Sequence, residues 1–229
     1  MTPFSCFVTG TDTEIGKTLI SAALIRAQAR AHVHVAAMKP VAAGCVWQDG
    51  AWHNEDVDTL AAEVTCDLPI SQTTPYLLQT AAAPHLAAVK EGVHIDAARI
   101  LSLYQAVRAQ AEAVVVEGVG GFRVPLNDHE DTADLAQQLG LPVVMVVGLR
   151  LGCISMALLT AEAIAARGLH LAGWVANTVD PDMTMLEGNV EALRQRINAP
   201  LLGVVPRLTS PSAEAALKFL NLQDLVFNA

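Results

Sequence analysis

Residues 7–18, FVTGTDTEIGKT, constrain the fold more than any other stretch of this 229-residue chain. Phe7, Val8 and Thr9 end a β-prone run, and Leu19, Ile20, Ala23, Leu24 and Ala27 recur at helical spacing, so Gly16, Lys17 and Thr18 fall where a strand passes into a helix. Such a junction suits a polyphosphate. The first turn of a helix leaves backbone N–H groups unpaired and carries about half a positive charge, so loop amides can wrap the phosphates while Lys17 neutralises their outer groups. Thr18 then offers a hydroxyl to Mg²⁺. The loop is one residue longer than the usual phosphate-loop pattern: residues 11–15 separate Gly10 from Gly16, and Thr11 stands where the first glycine belongs.

Downstream, strand and helix patterns alternate. Residues 32–40, HVHVAAMKP, read as a second strand that stops at Pro40, which cannot donate to a ladder and holds Lys39 extended at the strand's C-terminal end. In an open parallel sheet that end is where ligands bind. His32 and His34 alternate onto one face of this strand without a third ligand nearby, and read as edge or core histidines. Residues 41–54, with Gly44, Gly50, Trp47 and Trp52, look like a loop; residues 54–64 look like a helix capped by Asn54, with Glu55, Asp56 and Asp58 complementing its dipole. Residues 66–78 favour irregular backbone, and helices are expected over 84–91 and 96–112.

Residues 113–121, AVVVEGVGG, form a continuous β-branched run that ends in a carboxylate and a glycine turn. A carboxylate at the tip of a central strand beside a phosphate loop is where the Mg²⁺-associated acid belongs, normally Asp and here Glu117. Gly118, Gly120 and Gly121 let the backbone approach a ligand closely. A helix over 132–139, a buried strand over 142–149 and a helix over 154–167 follow, the last opened by RLGCIS, whose amides form a second potential anion site. A strand ending near Asn177, a helix over 185–197, a strand over 201–206 and a weakly amphipathic tail over 212–222 complete the pattern. The expected class is α/β: a doubly wound, mostly parallel sheet of the P-loop NTPase type with helices on both faces, in one domain over residues 1–229.

Composition excludes several function classes. Hydrophobic residues make up 52% of the chain and charged residues 16%, as for buried parallel strands covered by Ala-rich helices. A formal charge of −9 without a Lys/Arg cluster argues against nucleic acid as partner. Cys6, Cys45, Cys66 and Cys153 show no metal or redox spacing and read as reduced thiols. No basic-apolar leader and no apolar run of about 18 residues is visible, so neither export nor a membrane is expected, and the location expected is cytoplasmic. Lysines number only four, Lys17, Lys39, Lys90 and Lys218, and two of them stand at predicted sheet-edge junctions.

Lys17, Thr18, Lys39, Asp56 and Glu117 thus form a set of two cations, two carboxylates and a hydroxyl suited to phosphoryl transfer from a Mg²⁺–nucleotide. The motifs FVTGTDTEIGKT, MKPVAAG, NEDVDTL, VVVEGVGG, VVGLRLGCIS, LAGWVANTV and PLLGVVP resemble those of the dethiobiotin synthetases of biotin biosynthesis over nearly the whole chain, extra loop residue included. The resemblance implies ATP-dependent closure of a ureido ring from 7,8-diaminopelargonate and CO₂, through an N-carbamate and a carbamic-phosphoric anhydride. It further implies Lys39 as catalytic lysine assisted by Lys17. Thr18, Asp56 and Glu117 become the Mg²⁺ ligands, and Glu14, Ile15, Gly16, Lys17, Thr18, Gly118, Val119, Gly120, Asn177 and Pro206 the ATP contacts, with Asn177 at adenine. It places Thr13 and Lys39 at the substrate. In a homodimer, Gly152, Cys153 and Ser155 of the neighbouring subunit would hold the diamine's carboxylate. Ala43 stands where that family usually has a substrate-contacting Ser, and Ser155 where Asn is common. A nucleotide-switch ATPase of the partitioning or septum-placement type shares the fold class, but such proteins carry a Lys early in the loop where this chain has Asp12. The synthetase part of a glutamine-dependent cobyrinate amidase is the other rival, and 229 residues leave no room for its glutaminase domain.

Overall fold

The computed structural model describes residues 4–31 and 34–225. In chain order the elements are β1 (Cys6–Gly10), α1 (Lys17–Ala29), β2 (Val35–Met38), β3 (Val41–Ala43), β4 (Val46–Gln48), β5 (Ala51–His53), α2 (Glu55–Ala61), α3 (Ile70–Thr73), β6 (Tyr76–Leu78), α4 (Pro84–Glu91) and α5 (Ala97–Arg108). There follow β7 (Ala113–Glu117), α6 (Thr132–Leu139), β8 (Val143–Leu149), α7 (Cys153–Ala166), β9 (Leu171–Thr178), α8 (Leu186–Arg194), β10 (Leu201–Val205) and α9 (Ala213–Leu217). The second strand was expected from His32; His32 and Val33 lie outside the described residues, and the strand is described from Val35.

Six strands form one sheet in the order β10-β9-β8-β1-β7-β2, every neighbouring pair parallel. Strands covered on both faces cannot afford alternating polar residues, hence the unbroken apolar runs of β7 and β8. Successive side chains divide between two cores. Phe7, Met38, Val114, Val116, Met145, Val147 and Trp174 pack with α5, α6, α7 and α8 residues such as Ile100, Leu135, Ile164 and Leu193. Cys6, Val8, Val115, Val144, Val146 and Val175 pack on the opposite face with Ile20, Leu24 and Ala216 of α1 and α9.

The sheet order positions the site. β1 lies between β8 and β7, and β7 pairs with β2, so the loop after β1, the tip of β7 and the end of β2 are neighbours. Register makes this specific: Val8 is level with Glu117, and Met38 with Val116, which brings Lys39 to the level of the Glu117 tip.

Two segments expected to be irregular carry strands. β3 pairs in parallel with β6, and β4 and β5 form an antiparallel hairpin in which Trp47 and Trp52 face each other at 5.2 Å and 72°. The hairpin turns at Asp49 (φ 51°) and Gly50 (φ 84°), the positive-φ pair that matches strand twist in a two-residue turn. α2 is shorter than expected, and so are α5 and α8 at their C-terminal ends.

Candidate active site at the carboxyl end of the sheet

Gly10 ends β1, and a side chain there would meet the side chains of Ile15 at 2.7 Å and Lys17 at 2.9 Å, which would have to shift for the loop to fold down over the strand. Gly16 is left-handed (φ 85°) at the turn into α1. The loop is fixed by backbone and side chain. Thr11 N–H donates to the Val146 carbonyl at 3.0 Å, and the Asn177 amide donates to the Ile15 carbonyl at 2.8 Å. Asp12 accepts from Thr13 N–H at 2.8 Å and pairs with Arg150, just beyond β8, while its carbonyl accepts from Lys17 Nζ at 2.8 Å.

Opposite the loop, Lys39 and Glu117 meet in the interior. Lys39 is 3% exposed and Glu117 fully buried; Nζ donates to Glu117 Oε1 at 2.6 Å, to Asp56 Oδ2 at 2.8 Å and to the Gly118 carbonyl at 3.2 Å. Thr18 Oγ1 lies 2.7 Å from Asp56 Oδ1 and 2.9 Å from Glu117 Oε1. Asp56 is held in this position by its own helix start. Asn54 accepts from Asp56 N–H at 3.1 Å and Val57 N–H at 3.3 Å, capping α2, and its amide donates to the Ala43 carbonyl at 3.1 Å.

Electrostatics follow from this packing. Burial alone would push the Lys39 ammonium down, but the Glu117 and Asp56 carboxylates outweigh it and hold the group above the ordinary lysine range. Burial would raise the Asp56 carboxyl, yet the Lys39 charge, with hydrogen bonds from Lys39 and Thr18, keeps it below the usual carboxylate range. Burial, reinforced by the Lys39 charge, pushes Lys17 down to about 8. Thr18, Asp56 and Glu117 present an oxygen-only donor set with two carboxylates, and buried Glu117 Oε2 has no hydrogen-bond partner among the described residues. That donor chemistry fits Mg²⁺.

A cleft of about 900 Å³ opens over these groups. Of the residues expected at the site, Thr13, Glu14, Ile15, Gly16, Lys17, Thr18, Lys39, Asp56, Val119 and Gly120 line it, and Ala43 does as well. Glu117 and Gly118 lie beneath it as buried residues at the β7 tip. Asn177 stands behind the loop, bonded to Ile15, and Pro206 is exposed just past β10; neither is among the lining residues. Gly152, Cys153 and Ser155 form the start of α7 away from the cleft, with Gly152 and Ser155 exposed and Cys153 buried. Sequence reasoning missed the segment 81–84, Val124 and the segment 211–213 as cleft walls. Their small, uncharged side chains gave no signal of chemistry. It also missed the Asp12–Arg150 pair, which joins residues 138 positions apart.

A family model described as an AAA domain matches residues 5–215. The chain is 59% identical over 226 residues to the ATP-dependent dethiobiotin synthetase BioD of Janthinobacterium sp. (strain Marseille), covering 97% of this chain and 96% of that protein. It is likewise 59% identical over 206 residues to the protein of the same name from Aromatoleum aromaticum, covering 90% and 92%. Among solved structures, the MinD cell division protein of Aquifex aeolicus superposes with TM-score 0.58 at 12% identity over 93% of both chains. A ParA family ATPase from Chlorobium tepidum gives 0.54 at 15% identity over 96% and 92%. At that identity the likeness is one of fold, that of P-loop NTPases.

Proposed function

The chain belongs to the ATP-dependent dethiobiotin synthetases, and on that basis we propose that ring closure takes place in the cleft between the phosphate loop and Lys39. The reaction joins 7,8-diaminopelargonate and CO₂ into dethiobiotin as ATP becomes ADP and phosphate. The 59% identity over nearly the full chain carries this assignment; the geometry supports where it happens.

In the proposed sequence one substrate amine adds to CO₂ and loses a proton, giving a carbamate. A carbamate oxygen then attacks the γ-phosphorus of ATP, ADP departs, and a carbamic-phosphoric anhydride remains. The second amine attacks the carbamoyl carbon, the C–O bond to phosphate breaks, and a further proton goes to solvent as the ureido ring closes. Carbamate and γ-phosphate are both anions, so an ammonium between them lowers the repulsion of the attacking step. Lys39 has the charge and the position at the cleft floor for this, and Lys17 has them on the phosphate side. Thr13 lies on the same wall, where the substrate would pass. Mg²⁺, held by Thr18, Asp56 and Glu117, supplies charge neutralisation at the phosphates when bound. Glu14, Ile15, Gly16, Val119 and Gly120 enclose the nucleotide, with Gly118 beneath them and Asn177 and Pro206 on its adenine side. Asn177 donates to the Ile15 carbonyl behind the loop, so a contact with adenine requires it to leave that carbonyl.

The working unit is a homodimer in this reading. Two large apolar side chains are exposed at α7, beside the exposed Ser155 and Glu162: Leu151, immediately before the helix, is 93% exposed, and Leu159 is 63% exposed. A second copy packed there would bring its Gly152, Cys153 and Ser155 toward the diamine's carboxylate. Among the described residues no helix is long and apolar enough to cross a membrane; the location proposed is the cytoplasm. ADP release measured in a coupled assay is expected to require both the diamine and bicarbonate; equal turnover without the diamine would contradict the assignment.

A further inference from the structure

The ammonium of Lys39 touches the same carboxylates that, in the reading above, receive Mg²⁺. Nζ lies 2.6 Å from Glu117 Oε1 and 2.8 Å from Asp56 Oδ2. The Thr18 hydroxyl lies 2.9 Å from the same Glu117 Oε1 and 2.7 Å from Asp56 Oδ1. Glu117 Oε1 therefore accepts from Lys39, while Thr18 Oγ1 stands against the same oxygen with its single proton shared between Glu117 and Asp56. A dication brought to this carboxylate meets a buried ammonium on the same group, where little solvent screens like charges. Lys39 has somewhere to go. Its Nζ already bonds the Gly118 carbonyl at 3.2 Å, the first residue of the glycine turn whose Val119 and Gly120 line the cleft.

We infer that Lys39 is the resident counter-cation of Asp56 and Glu117, and that Mg²⁺ arriving with its nucleotide displaces it. Filling the metal site and delivering the catalytic ammonium into the cleft are then one event. The inference rests on the assignment of Thr18, Asp56 and Glu117 to Mg²⁺. Two consequences follow from the charges. Mg²⁺ without nucleotide competes poorly, because Lys39 already neutralises one of the two carboxylate charges and is tethered in place. A carbamate meets the freed ammonium only when the nucleotide that must react with it is present.

The scarcity of lysines makes this directly observable, since protein labelled with nitrogen-15 lysine carries only four Nζ groups. In metal-free wild-type protein the Lys39 Nζ signal is expected to be protected from exchange with water. Mg²⁺ and ADP together should shift it and abolish that protection, and Mg²⁺ alone should not. Mn²⁺ with ADP, as a paramagnetic probe, should broaden it. A signal broadened by Mn²⁺–ADP but unmoved and still protected in Mg²⁺–ADP overturns the displacement while leaving the metal site standing. A signal that neither probe affects at saturating ADP removes the metal assignment and the inference with it. Thermal melts give a second readout: millimolar Mg²⁺ without nucleotide should raise the Tm of Lys39→Gln by several degrees and leave that of the wild type unmoved. Equal Mg²⁺ responses of the two proteins would overturn the exchange, and the wild-type spectra decide the matter if the variant does not fold.

Discussion

Lys39 is the residue at which fold and chemistry meet. Its backbone stays extended because Pro40 follows it, and its Nζ is the cation that makes a buried Glu117 tolerable at the tip of β7. Lys39→Ala should abolish turnover while nucleotide binding, followed by calorimetry, is largely kept. The same variant leaves Glu117 buried without its cation, so metal-free protein should lose about 3–5 kcal/mol of stability in denaturant titrations. An unchanged rate would remove the catalytic role. Gly16 is constrained differently. Its left-handed backbone costs a non-glycine residue roughly 1–2 kcal/mol, and a Cβ there would stand 2.3 Å from the Asn177 amide. Gly16→Ala should therefore lose ATP binding, and adding Asn177→Ala should relieve the clash but not the strain. Cys6 gives a pH test remote from the site. Complete burial pushes its thiol up to about 12, whereas an unfolded cysteine titrates near about 8.5. Between those values the native state holds the extra proton, so stability falls as pH rises; Cys6→Ala should flatten that part of the profile in equilibrium unfolding.

At the scale of elements, the phosphate loop and the three strands around it were legible in the sequence because each carries a local signal. Gly-Lys-Thr at a strand-to-helix junction, Lys-Pro at a strand end and a β-branched run closed by Glu-Gly need no tertiary knowledge to interpret. The stretch over residues 41–54 was harder. Its Asp49-Gly50 pair is a hairpin signal between Trp47 and Trp52, but the strands flanking it are three residues each, too short for alternation to stand out. β3 and β6 were invisible for another reason: neither runs past three residues, and they pair across 32 residues of intervening chain. This region bears on the proposed site, because Asn54 joins the end of β3 to the start of α2 and so fixes Asp56. Asn54→Ala should cost about 1 kcal/mol of stability and raise the KM for Mg²⁺–ATP, with kcat less affected. A stability loss with an unchanged KM would mean that the cap does not position Asp56.

For the whole molecule, the parallel order β10-β9-β8-β1-β7-β2 explains why separated motifs work together: it gathers the ends of β1, β7 and β2 at one edge. Sequence supplied the strands but not their order, which depends on long-range pairing. Asn177 shows the limit at this scale. Its strand end was expected at the nucleotide, and the structure adds that its side chain spans to Ile15 and braces the loop from behind. The homodimer proposed above belongs to this scale as well. Leu159→Lys places a charge on the exposed face of α7 and should convert the dimer to monomer in sedimentation, lowering affinity for the diamine more than for ATP. An unchanged sedimentation coefficient would place the interface elsewhere. The central claim is that carbamate and γ-phosphate react directly across the Lys39 side of this cleft, and the path of oxygen from CO₂ tests it most directly. In a single turnover begun with oxygen-18 bicarbonate and quenched before the label exchanges with water, each phosphate released with dethiobiotin should carry one labelled oxygen. Unlabelled phosphate from the same turnover would contradict it.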